Sequence, residues 1–146
     1  MFTIIFPVLN ERLRLESGVT RTVEYLRKIA FEDYEIIIVD NGSEDETPQI
    51  AEMLCQKYEK VRYVRINVRG VGAAFRRGVE LSHGDVVGYM DIDLSTNIKH
   101  LGEAIHLFET QPQIEYINGS RFARESDTKG RKCCLLYTSP SPRDTR

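Results

Sequence analysis

Apolar and polar positions along the chain switch repeatedly between a two-residue and a three-to-four-residue period. Residues 3–8 are an apolar, β-branched run ending at Pro7-Val8, the pattern of a buried strand. Further on, Val19, Val23, Leu26, Ile29 and Ala30 recur at helical spacing. A second apolar strand follows at 34–40, closed by Asn41-Gly42. Thr47-Pro48 marks a helix start, with Thr as the cap and Pro at the first helical position. Ile50, Ala51, Leu54, Cys55 and Tyr58 then line one face of that helix. Residues 61–66 alternate as a third strand, 72–81 read as a helix and 85–91 as a fourth strand. Ile98, Leu101, Ile105 and Phe108 predict a helix over 98–108, and 114–118 read as a fifth strand.

Strands alternating with helices of this length predict crossover connections and a mainly parallel sheet with helices on both faces. The unbroken apolar run at 36–39 agrees, because a strand covered on both sides has no polar face. The predicted class is α/β.

Composition narrows this picture. The 146 residues carry 20 basic and 22 acidic side chains, 41% hydrophobic and 29% charged residues, the composition of one soluble globular domain. A net charge of −2 argues against a partner bound by phosphate neutralisation, so no nucleic acid is expected. The apolar runs are too short to span a bilayer. No basic region precedes the first of them, so a secretory leader is not expected and the expected compartment is the cytoplasm. The stretch from Cys134 to Asp144 resembles a translated sequencing adapter. Residues 133–146 are therefore set aside as a disordered, non-native tail behind a domain at 1–132. Removing residues 134–146 leaves Cys55 and, at the junction, Cys133, which indicate neither a disulfide nor a metal.

In an open parallel sheet, ligands bind beyond the carboxyl ends of the strands. Pro7, Asn10 and Glu11 follow the first strand, and Asp40, Asn41, Gly42 and Ser43 the second. Gly70 and Gly72 follow the third, Asp91, Asp93 and Ser95 the fourth, and Gly119, Ser120 and Arg121 the fifth. Polar groups from five places thus converge on one rim.

Asp91-Ile92-Asp93 is the sharpest of these elements. Two carboxylates at i and i+2 can share a hard divalent cation whose remaining ligands are water and phosphate oxygens. Equally, one can cap the next helix while the other is solvated. A calcium EF-hand is excluded by Thr96 and Gly102 at its sixth and twelfth positions, and a Walker-B acid by the lack of a phosphate loop. Gly70-Val71-Gly72 lacks the third glycine of a dinucleotide fingerprint, and His83, His100 and His106 lack ligand spacing. Asp40 either accepts from a ribose or base or holds an Asx-turn at Asn41-Gly42. Glu11 complements a helix dipole or meets a ligand, and Arg121 pairs with a diphosphate or is solvated.

Pro7-Val8-Leu9-Asn10-Glu11, Val39-Asp40-Asn41-Gly42-Ser43 with Asp45 and Thr47, Gly70-Val71-Gly72-Ala73, Met90-Asp91-Ile92-Asp93-Leu94-Ser95 and Gly119-Ser120-Arg121 resemble, in order, the motifs of glycosyltransferase family 2. The nearest branch in resemblance is the dolichyl- and polyprenyl-phosphate sugar synthases. The resemblance implies a GT-A (Rossmann-like) fold, truncated here on its C-terminal side, that binds a GDP- or UDP-linked sugar. It implies that Pro7, Leu9, Glu11, Ile38 and Asp40 hold the nucleotide. It further implies that Asp91 and Asp93 carry Mg²⁺ or Mn²⁺, Ile92 touches the donor and Arg121 its phosphates. Asp91, Asp93 and Arg121 would then be the catalytic set. Asn41, where many members have a second Asp, is given no catalytic role. The implied acceptor is a polyprenyl phosphate or a glycan. Membrane contact is expected through a part beyond this chain, which puts the parent at the cytoplasmic face of a membrane.

Two other readings compete. Asp91 and Asp93 also resemble the acids of a haloacid dehalogenase-type phosphatase, although those follow a first strand. A non-catalytic nucleotide-binding fragment is the second. A sugar nucleotidyltransferase would need a glycine-rich loop where this chain has Pro7-Val8-Leu9-Asn10-Glu11.

Overall fold

The computed structural model describes residues 1–95 and 97–119. Four strands and four helices alternate: β1 (Phe2–Val8), α1 (Leu15–Lys28), β2 (Tyr34–Asp40), α2 (Thr47–Lys57), β3 (Val61–Arg65), α3 (Val71–Leu81), β4 (Val86–Tyr89) and α4 (Lys99–Thr110). The strands form one sheet in the order β3-β2-β1-β4, every neighbouring pair parallel. The predicted α/β class holds.

The two-residue period of the strands divides their apolar side chains between two layers. Phe2, Ile4, Phe6 and Val8 of β1 join Ile36 and Ile38 of β2 against α1, α2 and α4. The intervening Ile5, Ile37 and Val39 face Ala74 and Phe75 of α3 on the other side. Leu15, Val19 and Leu26 bury one stripe of α1 completely. Each such side chain contributes roughly 1.5–3 kcal/mol relative to exposure. On the opposite face α3 lies close to the sheet, because Gly78 sits where a Cβ would be 2.6 Å from Ile5 Cδ1.

Several boundaries differ from expectation. Helix α1 starts at Leu15, one turn before Val19, since Leu15 belongs to the same buried stripe. Thr47 is the first helical residue of α2 and not its cap; Glu46 takes that position. Asp45 does the capping chemistry, its Oδ1 accepting the Thr47 N–H at 2.9 Å. The fifth strand is not formed, and residues 111–119 carry no regular element. A strand needs a ladder partner, and the apolar order of Ile114, Tyr116 and Ile117 breaks the alternation that would fix its register. The contact pattern separates residues 1–112, which hold the sheet, from a second unit beginning at Gln113.

Candidate active site

The chain leaves β1 for β2 and then β3 on one side, and returns to place β4 on the other. Such a reversal, at the carboxyl ends of β1 and β4, is the position where open α/β sheets take ligands. Residues 9–14 after β1 and 91–95 after β4 flank it.

The loops after β1 and β2 are laced together. Asn10 donates its N–H to Ser43 Oγ at 2.9 Å, and its own Oδ1 accepts the Glu44 N–H at 2.8 Å. Glu11 donates its N–H to Thr47 Oγ1 at 2.9 Å, and Arg12 pairs with Glu46 at 3.1 Å. Asn10 adopts φ +54°, a left-handed conformation that Asn tolerates better than most residues. Burial opposes ionisation of Asp45, but hydrogen bonds from Thr47 and Arg12 outweigh it and hold this carboxyl below its usual range. The loop after β3 joins through an Arg69–Glu44 pair at 3.3 Å.

Asp40 is the keystone of that lacing and has no exposed surface. Its Oδ1 accepts from Gly42 N–H (3.1 Å), Ser43 N–H (2.8 Å) and Ser43 Oγ (2.6 Å). Its Oδ2 accepts from the Tyr63 hydroxyl at 2.9 Å, with Arg65 Nη1 at 3.8 Å. The Asx-turn expected at Asn41-Gly42 is formed. Burial, reinforced by this hydrogen bond and the adjacent charge, pushes the Tyr63 hydroxyl up to about 12. Neighbouring Asn41, 4% exposed, ties β2 to β1 through its N–H to Val8 O at 2.9 Å.

The turn after β4 has the opposite character. Asp91 and Asp93 are both exposed, whereas Ile92 between them is buried in the core at 3% exposure. The Leu94 N–H bonds back to Asp91 O at 3.1 Å, with Leu94 at φ +49°, and the Ser95 N–H meets Asp93 Oδ1 at 2.9 Å. Among the described residues no three His, Cys, Asp or Glu side chains cluster to hold a metal unaided. Two accessible hard oxygen donors do fit a cation that completes its shell with water and phosphate oxygens.

The predicted site residues therefore fall into separate groups. Leu9, Asp91 and Asp93 are exposed, while Pro7 and Glu11 are half-buried at the same rim. Ile38 and Ile92 both pack their side chains in the core. Asp40 is buried beneath the rim, with its carboxylate bonded to Ser43 and Tyr63. Arg121, Ser120 and the tail at 133–146 lie outside the described residues. Tyr63 and Arg65, the partners of Asp40 on β3, are neighbours that sequence patterning missed. Register was the available clue: Asp40 pairs with Arg65, and Tyr63 stands two residues earlier on the same face.

A family model described as Glycosyl transferase family 2 matches residues 3–139. Glycosyltransferase AglD of Haloferax volcanii is 35% identical over 122 residues, which make up 82% of this chain and 19% of that protein. The mouse dolichyl-phosphate beta-glucosyltransferase is 34% identical over 137 residues, 86% of this chain and 42% of that protein. The chain thus spans less than half the length of these relatives. Glucosyl-3-phosphoglycerate synthase from Mycobacterium tuberculosis, solved with Mn²⁺, UDP and glucosyl-3-phosphoglycerate, matches with a TM-score of 0.57 and 24% identity, over 75% of this chain and 40% of that one. Its sheet and helices share the arrangement described above, that of a GT-A glycosyltransferase. The chain belongs to glycosyl transferase family 2.

Proposed function

We propose that the protein takes part in transferring a sugar from a nucleoside diphosphate sugar to a polyprenyl phosphate such as dolichyl phosphate. The observation that carries this reading is the turn after β4, where two exposed acids flank a buried isoleucine at the sheet's carboxyl rim. Glucose is the sugar the similarity to the dolichyl-phosphate beta-glucosyltransferases favours, with UDP or GDP as its carrier.

Asp91 and Asp93 are the residues that would hold Mg²⁺ or Mn²⁺ against the donor diphosphate. Such an ion would supply positive charge where negative charge develops on the departing diphosphate. Without it, a diphosphate would be repelled by these acids. Leu9, Pro7 and Glu11 lie on the part of the rim where the nucleoside would lie. Asp40 contributes by fixing the loop after β2, so that the rim is preorganised and costs little reorganisation on binding. Arg121 is assigned to the donor phosphates from its place in Gly119-Ser120-Arg121. The acceptor phosphate oxygen is already ionised near neutral pH, so direct displacement with inversion needs no strong base. A sugar hydroxyl as acceptor would need one.

Such an acceptor puts the reaction at a membrane surface. Among the described residues no helix is long and apolar enough to cross one. The reading is tested by incubating the protein with UDP-glucose or GDP-linked sugar, dolichyl phosphate in detergent and MnCl₂. Formation of the lipid-linked sugar, lost in Asp91→Asn and Asp93→Asn, is the expected result. Release of inorganic phosphate from an aryl phosphate, without sugar transfer, would replace it with the phosphatase reading.

A further inference from the structure

Gly18 lies at the end of the first turn of α1, far in sequence from the acidic turn after β4, and it is buried. A Cβ built on it would stand 2.4 Å from the backbone oxygen of Ile92, 2.8 Å from Ile92 Cδ1 and 3.0 Å from Cγ1. The middle residue of the acidic turn therefore lies directly on the helix backbone at the one position of α1 without a side chain in the way. Only a hydrogen fits there, facing the Ile92 carbonyl. The helix offers a fixed platform. Leu15 and Val19 beside Gly18 have no exposed surface, and the Gly18 carbonyl accepts the Thr22 hydroxyl at 2.8 Å. With Ile92 docked this way, Asp91 and Asp93 on either side are left exposed.

We propose that Gly18 is a positioning residue for Asp91 and Asp93: it seats the turn against α1 and so sets where the two carboxylates stand. The inference rests on the reading that these acids take a divalent cation. A contact of 2.4 Å with backbone cannot be relieved by a rotamer change, so any side chain at Gly18 must lift the turn, the helix or both. Groups that orient metal ligands from behind typically cost about 10- to 100-fold in metal affinity when altered.

The test is the Mn²⁺ concentration that half-saturates the full chain in the presence of UDP, read by water-proton relaxation of the bound ion and by calorimetry. Wild type, Gly18→Ala, Asp91→Asn and Gly78→Ala are compared below the unfolding range of each. Gly78→Ala overpacks a helix against the sheet through the Ile5 side chain, away from the turn. It serves as the control for destabilisation alone. Gly18→Ala is expected to raise the half-saturating Mn²⁺ concentration by about tenfold or more, while Gly78→Ala changes it less than about twofold. Ile92→Val, which removes one methyl from the docked side chain, is expected to give a smaller rise, and it decides the matter if Gly18→Ala does not fold. Mn²⁺ binding that needs Asp91 but is indifferent to Gly18→Ala, or equally sensitive to Gly78→Ala, would overturn this inference and leave the donor-site reading standing. Wild-type protein that binds no Mn²⁺ with UDP would overturn both.

Discussion

The hydroxyl of Tyr63 on β3 donates a 2.9 Å hydrogen bond to Oδ2 of Asp40, a carboxylate with no exposed surface at the end of β2. The other oxygen of Asp40 holds the loop after β2, so the edge strand and the rim of the site share one buried charge. Tyr63→Phe removes the donor and leaves that charge with Arg65 at 3.8 Å on this side. A hydrogen bond to a charged group is worth roughly 1.5–3 kcal/mol, so a loss of about that size is expected in urea unfolding. The hydroxyl's folded pKa, about 12, lies above the ordinary value of 10. Its stabilising contribution is thus complete below pH 10 and disappears as pH rises through 12. The wild-type minus Tyr63→Phe difference in ultraviolet titration should show one phenol that resists ionisation until that range.

A second buried charge stands at the opposite end of the sheet. Glu35 accepts from Thr3 Oγ1 at 2.7 Å and His83 N–H at 2.6 Å through one oxygen, and faces Arg62 Nη1 and His83 Nδ1 at 3.1 Å through the other. Burial acts against ionisation, but these bonds together outweigh it and bring the carboxyl down to about 2. A folded pKa below the unfolded value of 4.5 means stabilisation that is full above pH 4.5 and lost as pH falls towards 2. Glu35→Gln should lower the melting temperature at pH 7. It should also flatten the wild-type decline between pH 4.5 and 2. Parallel curves for the two proteins in that window would contradict the assignment.

Thr47 is fully buried and its hydroxyl accepts the Glu11 N–H. Thr47→Val keeps the shape and removes the acceptor, so a part-buried N–H is left unpaired at a cost of about 1 kcal/mol. The loss falls where the loops after β1 and β2 meet. Amide exchange at Asn10 and Glu11 should therefore accelerate more than exchange in α3, a contrast that general destabilisation would not produce.

Much of this architecture was legible in the chain, and the illegible parts share a cause. Period and apolar content located four strands and four helices because each buries a stripe or face set by its own geometry. The same reasoning failed at 114–118, where being a strand depends on a partner and not on the segment itself. At the rim, residue type could not say which side chains face outward. Ile38 and Ile92 are apolar and went into the core. Asp40 is acidic and also went inside, because Ser43 and Tyr63 supply the hydrogen bonds that a buried carboxylate requires. Gly18 gave no local sign at all, since its role appears only when the turn after β4 is laid on α1.

The acids of that turn should separate binding from folding. Asp91 and Asp93 are exposed, and the protein asks of them only the bonds within the turn itself. Asp91→Asn, which keeps the shape and removes a charge, should leave stability within about 0.5 kcal/mol of wild type. The expected effect on Mn²⁺-dependent binding of UDP is a loss of about 100-fold, on the scale of about 3 kcal/mol, because a hard cation loses an anionic oxygen ligand. Asp93→Asn should behave the same way, with a small additional loss of stability from its Oδ1 bond to the Ser95 N–H. Chelation by EDTA should bring wild type to the level of both variants and leave their own residual binding unchanged. Residual binding in Asp91→Asn that EDTA still abolishes would place the cation elsewhere on the rim and remove this turn from the site.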